Sequence, residues 1–246
     1  MTAPALDLDQ YAARIGLRSL SGPPTEERPA EIQLAHATTV PFENLDIHLA
    51  LPIQLEPERV FEKLVVRKRG GYCFEQNALL LTMLRKVGFE VRPLTARVLH
   101  VQIGGRAFLA DVGFGTHNLL GPLALEYDVA REVCGETFRV TSTNDIEVRI
   151  GETWTALYRL SLEEQDPVDF VMGNWFTSTH PSSIFVRSKV VSLGAIGKRT
   201  LLLDRELKIR EGSSITTRTI KDEPAYLAAL RDLFGIHLPD GAVLRW

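Results

Sequence analysis

The spacing of hydrophobic and polar positions changes part-way along this chain. In the first third, apolar residues recur at the spacing of amphipathic helices, which predicts helices over residues 7–15, 30–37, 57–66 and 75–87. The last of these is apolar on nearly every side, with leucines at positions 79, 80, 81 and 84. Such a helix is expected to lie buried at the centre of its unit, and Gly88 is a typical residue for ending it.

Beyond residue 90 the pattern shortens to alternating segments, which are typical of β-strands. Strands are predicted over residues 93–103, 106–112, 137–141, 146–150, 153–159, 200–203, 207–210 and 214–220. A final helix over residues 224–234 carries leucines at helical spacing. Helices followed by a β-rich unit predict an α+β fold.

A cysteine stands at the start of the predicted central helix, in the segment RGGYCFEQN. Cys73 follows the glycine pair Gly70 and Gly71, which allows a close backbone approach. A thiol at a helix N-terminus lies near the positive end of the helix dipole, which favours the thiolate and lowers the pKa. The segment therefore predicts a sulfur nucleophile, and the alternative is a buried cysteine that acts as a small apolar residue.

An aspartate closes one of the predicted strands. Asp111 follows the apolar run at 107–110 and is flanked by the glycines of the segment DVGFG. An aspartate at such a position can orient a histidine base, as in a catalytic triad. The alternative is an aspartate that only forms the turn, which is common beside glycine.

Together these segments resemble the arylamine N-acetyltransferase family. The resemblance runs through nearly the whole chain, and RGGYCFEQN combined with DVGFG is its most specific part. VPFENLD at 40–46, TARV at 95–98 and NWFTSTHPSS at 174–183 support it. The resemblance implies an N-terminal helical bundle (1–90), a central β-barrel (91–190) and a C-terminal α/β lid (191–246), with a catalytic core like those of cysteine proteases and transglutaminases.

The resemblance also implies an activity and its residues. Acetyl would pass from acetyl-CoA to an arylamine, arylhydrazine or hydrazide by a ping-pong route through an acetyl-cysteine. Cys73 matches the nucleophile and Asp111 the triad aspartate. Phe42, Phe74 and Phe114 are candidates for a substrate pocket. Thr179, Ser182 and Ser183 match a segment near the coenzyme, and Glu43 with Arg69 is predicted to form a supporting ion pair.

The triad histidine is where this sequence departs from the family. In the family a longer connection follows the Ala-Arg-Val element, and the catalytic histidine comes after it. Here TARV leads directly into Leu99 and His100, so the connection is absent. Measured back from Asp111, the family's histidine position falls on Ala96.

Hairpin geometry makes His100 the candidate for the missing base. A turn at Gly104 and Gly105 places His100 opposite Leu109 and Val98 opposite Asp111. His100 then shares a face with Asp111, displaced along the strand by roughly 7 Å on a Cβ basis. Three explanations of the gap stay open: a deletion that damages the triad, a segment that the protein contains and this sequence lacks, or a register shift that lets His100 serve.

Composition and net charge narrow the expected partners and the expected cellular compartment. A net charge of −3 in 246 residues argues against nucleic-acid binding. Two cysteines give no disulfide framework and no metal site, and they fit a reducing cytoplasmic compartment. No apolar run reaches the length of a membrane helix and no targeting segment is visible, so no membrane partner is expected. The expected partners are an aromatic amine or hydrazine and coenzyme A.

Two other functions remain open at this point. One is a catalytically impaired relative that binds aromatic amines or acyl-CoA without turnover. The other is a cysteine hydrolase that delivers the acyl group of a thioester to water.

Overall fold

The computed structural model describes residues 6–239 and 241–244. Helices α1 to α8 span Leu8–Arg14, Arg28–Thr39, Leu45–His48, Pro57–Phe61, Cys73–Val87, Asp169–Thr179, Ile184–Arg187 and Glu223–Phe234. Strands β1 to β13 span Phe42–Glu43, Val91–Pro93, Leu99–Ile103, Arg106–Ala110, Leu123–Ala124, Arg131–Val133, Glu136–Val140, Asp145–Ile150, Thr153–Arg159, Val190–Ala195, Lys198–Leu203, Glu206–Glu211 and Ser214–Thr219.

The helices predicted for the first third are confirmed to within two residues at each end. The segment at 57–66 continues from α4 into a π-helical turn, Glu62–Val66. The start of α5 is held by Glu75, whose carboxylate accepts the backbone N–H of Tyr72 at 3.1 Å. This contact satisfies one of the donors that every helix start leaves unpaired, just before Cys73.

The central helix α5 is buried as its sequence predicts. Leu80 and Met83 have no exposed surface and lie in one apolar cluster with Tyr11, Ile32 and Phe61 of the surrounding helices. The helix therefore presents its first residue from a well-packed support.

The described strands form three antiparallel sheets, with strand orders β1-β10-β11-β12-β13, β2-β3-β4-β5 and β6-β7-β8-β9. The α+β class is confirmed, and the prediction of a closed central β-barrel is wrong. Closure requires every edge strand to pair with a neighbour. Here β5 makes only two ladder pairs with β4, and the chain then passes to the third sheet.

Side chains hold the second and third sheets together in place of a continuous ladder. Leu109 and Leu123 of the second sheet lie in one buried cluster with Phe138 and Val148 of the third. The central region therefore consists of two packed sheets with open edges.

The predicted strand at 93–103 is interrupted. Residues Thr95–Arg97 form a 3₁₀ turn between β2 and β3, and Arg97 has a left-handed backbone with φ of 60°. The backbone N–H of Leu94 donates to the carbonyl of Val98 at 2.7 Å, which closes the turn. The chain reverses sharply at the place where the sequence lacks the connection.

The C-terminal sheet includes a strand from the first third of the chain. β1 pairs with β10 through Phe42 opposite Ser192 and Glu43 opposite Val191. α8 packs on this sheet through Tyr226 and Leu230. The pattern did not predict the strands β1, β5, β6 and β10 or the helices α3, α6 and α7. The division at residues 90 and 190 stays a prediction.

Candidate active site

Cys73 is the first residue of α5, at the end of a loop that approaches its neighbours closely. A β-carbon on Gly70 would collide with the carbonyl oxygen of Pro41. Gly113 approaches the other side, where a β-carbon would lie 2.7 Å from the Cα of Cys73. The glycines of both motifs are therefore needed for the two segments to meet at the cysteine.

Asp111 lies buried just after β4 and accepts three hydrogen bonds. The amide of Asn77 and the backbone N–H of Gly113 donate to its Oδ1, each at 2.8 Å. The hydroxyl of Tyr158 donates to its Oδ2 at 2.8 Å. Burial raises the pKa of Asp111, and these three donors act in the opposite direction because they stabilise the carboxylate.

Asn77 connects the two motifs directly. It stands one helical turn after Cys73 on α5, and its Oδ1 accepts the backbone N–H of Val112 at 3.0 Å while its amide holds Asp111. The aspartate is thus fixed relative to the helix that carries the cysteine.

Cys73 and Asp111 line a common pocket of about 230 Å³. Its other walls are mostly aromatic or apolar: Phe42, Val98, Gly113, Phe114, Tyr158 and Phe185. Phe74, the third predicted pocket residue, does not line it and packs instead against Tyr72 and Phe170. The pocket can hold a small ring beside the sulfur.

The pKa of the Cys73 thiol is raised in the structure, whereas its place at a helix start predicted that it would be lowered. Burial raises the pKa of Cys73 to about 12, and the carboxylate of Asp111 adds to the rise. The backbone N–H groups of Phe74 and Cys73, at the helix start, lower the pKa by a smaller amount. Removal from water outweighs the backbone donors at the helix start, because burial is the largest influence on this thiol.

His100 lies on the predicted hairpin but not in the pocket. Its register is confirmed, since it stands opposite Leu109 on β4. Its Nδ1 lies 3.4 Å from a guanidinium nitrogen of Arg92, and burial together with Arg92 lowers its pKa. The structure brings Cys73 and Asp111 together and leaves His100 outside, so the catalytic role of His100 stays a prediction without support from these contacts.

Other histidines are engaged elsewhere. His36 is fully buried between the hydroxyl of Tyr11 at 2.8 Å and the amide oxygen of Gln76 at 2.7 Å. Burial lowers its pKa to about 4, so it stays neutral. His48 contacts the carbonyl of Ser188 at 3.0 Å. Neither histidine is among the residues that line the Cys73 pocket.

Arg97 is the residue at which the chain turns towards the pocket. Its guanidinium donates to the carbonyl of Phe74 at 2.5 Å and lies 4.4 Å from the centre of the Phe170 ring. Burial lowers its pKa to about 10, while Cys73 and Tyr72 act in the opposite direction. It remains a cation at neutral pH on the side of the site that faces the helix start.

Glu43 and Arg69 form an ion pair behind the cysteine loop. A guanidinium nitrogen of Arg69 lies 2.7 Å from Glu43 and 2.8 Å from Asp46. Lys63 extends the network to Asp46 at 2.7 Å and to Glu75 at 2.8 Å. The network ties VPFENLD to the loop that leads into α5.

Replacing Arg69 by methionine is expected to lower the free energy of unfolding by about 3–5 kcal/mol, because buried carboxylates lose their partner. The side chains of Arg69 and Glu43 are 6% and 0% exposed. Arg67→Met is the matched control, since Arg67 pairs with Glu62 at the surface and should cost about 0–1 kcal/mol. Urea unfolding of both variants measures the difference; equal losses would show that the buried network is not stabilising.

The predicted coenzyme residues form a local turn between α6 and α7. Thr179 donates to the carbonyl of Trp175 at 2.6 Å, and Ser183 to that of Thr177 at 2.6 Å. The hydroxyl of Ser182 lies 2.7 Å from the Nδ1 of His180. These contacts shape the segment that brings Phe185 to the pocket, and the coenzyme role of the three residues stays a prediction.

A second cavity of about 280 Å³ lies along the loop that follows Asp111. Gly115, Thr116 and His117 line it from this loop, and Ser192 and Lys208 line it from the C-terminal sheet. The Oγ of Ser192 and the Nδ1 of His117 are buried there without a hydrogen-bond partner in the described part of the chain. Buried polar atoms without partners are uncommon and suit a polar ligand.

Several site residues were not found from the sequence. Asn77 could have been, since it lies inside RGGYCFEQN at helical spacing from Cys73. Tyr158 and Phe185 have no local signal, because distant segments bring them to the pocket. The hairpin register placed Val98 opposite Asp111 but did not mark it as a pocket residue. Within residues 6–239 and 241–244, there is no cluster of three or more His, Cys, Asp or Glu side chains that could hold a metal ion. No helix in that part of the chain is long and apolar enough to cross a membrane.

Comparison with known proteins defines the class of protein first. A family model described as N-acetyltransferase matches residues 28–102 and, in a second piece, residues 97–243. The two pieces meet at 97–102, which is where the sequence lacks the connection. The chain therefore belongs to the class of N-acetyltransferases.

Individual relatives narrow the assignment to one family of N-acetyltransferases. The arylamine N-acetyltransferase of Mycolicibacterium smegmatis is 34% identical over 259 aligned positions, covering 96% of this chain and 94% of the relative. A solved structure of the Mycobacterium smegmatis enzyme matches with a TM-score of 0.92 at 33% identity, over 98% of this chain and 96% of that chain. The Mycobacterium marinum enzyme in complex with CoA matches with a TM-score of 0.88 at 32% identity, over 94% and 93%. The chain belongs to the arylamine N-acetyltransferase family.

Proposed function

We propose that this protein transfers acetyl from acetyl-CoA to the nitrogen of an aromatic amine, hydrazine or hydrazide through an acetyl-Cys73 intermediate. The observation that carries the proposal is the shared pocket of Cys73 and Asp111 at the start of α5. Relatives named for this activity, and one related structure that holds CoA, support it.

The pocket suits both halves of a ping-pong reaction. In the first half, the sulfur of Cys73 attacks the acetyl carbonyl carbon, and the bond from that carbon to the coenzyme sulfur breaks. The coenzyme leaves as its thiol, with the proton that Cys73 gives up. In the second half, the amine nitrogen attacks the acetyl carbon, and the bond from that carbon to the sulfur of Cys73 breaks. The sulfur takes the proton that the nitrogen loses. Aromatic walls from Phe42, Phe114 and Phe185 can hold the ring of the amine against the thioester.

Two places are candidates for the coenzyme, and the contacts favour the second cavity. The hydroxyls at 179–183 already make local hydrogen bonds, whereas Ser192 has an unpaired buried Oγ beside Lys208 and the loop that follows Asp111. A ligand that reached along this loop could place a thioester near Cys73.

Ser192→Ala is expected to raise the KM for acetyl-CoA about 2- to 10-fold, the loss of one neutral hydrogen bond, with little change in kcat. Ser182→Ala is the matched control and should leave the KM unchanged, because its hydroxyl is held by His180. Steady-state kinetics at varied acetyl-CoA decide between them. A rise for Ser182→Ala alone would place the coenzyme at the 179–183 segment.

Intact mass spectrometry tests the proposed function. Mixing the protein with acetyl-CoA should add the mass of one acetyl group, and an arylamine should then remove it and appear as the acetylated product. Absence of the adduct over many hours at mildly alkaline pH would contradict the proposal.

The raised pKa of Cys73 and the absence of a histidine from the described pocket lining favour one alternative, an impaired relative that binds without turnover. Ligand binding without an acetyl adduct would select it. An adduct that water removes as fast as an arylamine does would instead select an acyl-thioester hydrolase.

A further inference from the structure

The Cys73 pocket contains a thiol and a carboxylate but no side chain placed to carry a proton between them. Among the residues described as lining it, none is histidine, lysine or arginine. Tyr158 is not a substitute, because it donates its hydroxyl to Asp111, and both burial and that carboxylate raise its pKa far above the ordinary value. The base for the reaction must therefore come from elsewhere.

Asp111 has room for one more hydrogen-bond donor. A carboxylate offers about four acceptor positions. Two donors occupy Oδ1 and only Tyr158 occupies Oδ2 among the described contacts. All three donors are neutral, and no cation is paired with this buried negative charge among the described residues. A ligand that donates an N–H and becomes positively charged during the reaction would be stabilised there.

The pocket is also large enough for such a ligand. Its volume of about 230 Å³ is several times the ~30 Å³ that a water molecule occupies in the liquid. Val98 lies on its wall, just before the residue that pairs with Ala110, so a small apolar side chain stands close to Asp111. A five-membered ring can fit between this wall and the sulfur.

We propose that this pocket binds a small nitrogen base, with one N–H donor and one unprotonated nitrogen, between the sulfur of Cys73 and the Oδ2 of Asp111. Imidazole and hydrazine have this chemistry. The substrate class in this inference rests on the proposed acetyl transfer. Hydrazines and hydrazides activate the thiol themselves, and simple arylamines are poorer acetyl acceptors than these compounds.

Every proton that moves during the acetylation of Cys73 has a donor and an acceptor. The unprotonated nitrogen takes the S–H proton of Cys73 while its N–H donates to Asp111. The sulfur forms a bond to the acetyl carbon, and the bond from that carbon to the coenzyme sulfur breaks. The departing thiolate takes the proton from the base, which leaves unchanged.

Alkylation of Cys73 by iodoacetamide at neutral pH tests the base site without any acyl donor. Imidazole should accelerate alkylation and reach a plateau, roughly 10²-fold above the starting rate, which is the lower end for positioned acid–base groups. The matched ligand is 1-methylimidazole, which can take a proton but has no N–H for Asp111, and it should give no plateau. Cys134, the other free cysteine, serves as the internal control in peptide mass spectrometry.

A single pH is used throughout, because several titratable groups surround Cys73. Tyr72, Glu75, Arg97 and Asp111 interact with its charge, and Tyr158 lines the same pocket. Asp111→Asn should remove the plateau; if that variant does not fold, the comparison of the two ligands still decides. Equal, unsaturated acceleration by both ligands, or none by either, would overturn the inference.

The same measurements separate this inference from the proposed function. A plateau with imidazole and no acetyl adduct on Cys73, even when imidazole is present with acetyl-CoA, would sustain the base site and reject acetyl transfer. An acetyl adduct without any plateau would sustain acetyl transfer and reject the base site.

Discussion

Cys73→Ala is expected to abolish both acetyl transfer and the acetyl adduct seen by intact mass. The reason is chemical, since alanine has no nucleophile, and Cys73 is the cysteine that shares a pocket with Asp111. The fold should survive, because the side chain is small and packed only partly against the aromatic cluster of Phe42, Tyr72 and Phe74.

Cys134→Ala is the matched control for this prediction. Cys134 is also a free, partly buried cysteine, but its sulfur contacts the carbonyl of Leu120 at 3.8 Å in another part of the fold. The variant should keep full activity and a normal adduct. Acetylation that persists in Cys73→Ala and disappears in Cys134→Ala would show that the site has been assigned to the wrong cysteine.

The rate at which iodoacetamide alkylates Cys73 should rise about tenfold per pH unit between pH 6 and 9, without a plateau, because only the thiolate reacts. The pKa of the thiol is about 12, so the thiolate fraction is small and still growing over this whole range. A cysteine with an intact histidine partner would instead give a fast rate that is nearly flat above mildly acidic pH. Peptide mass spectrometry at each pH gives the profile.

His100→Ala is the control that tests the sequence prediction for the base. Since His100 contacts Arg92 and does not line the pocket, the profile of the variant should coincide with that of the unchanged protein. A flat, fast profile that is lost in His100→Ala would mean that the histidine reaches Cys73 in solution.

The helices α1, α2, α4 and α5 and most strands could be predicted because their signals are local. Hydrophobic spacing fixed α5, and the glycine pair at 104–105 fixed the hairpin register that places His100 opposite Leu109. The strands β1, β5, β6 and β10 and the helices α3, α6 and α7 escaped prediction. α6 leaves Met172 and Trp175 largely exposed, so its apolar residues give no clear amphipathic pattern.

By itself, the sequence determined the family, the α+β class and the pairing of a cysteine motif with an aspartate motif, because these depend on residues close together in the chain. Only the tertiary structure decided three other points. The central sheets stay open, because β5 is too short to continue the ladder. Tyr158 and Phe185 reach the pocket from distant segments. Burial and the carboxylate of Asp111 raise the pKa of Cys73, although its place at a helix start predicted a lowered pKa. The reason is that removing a charge from water costs more than the helix dipole stabilises it.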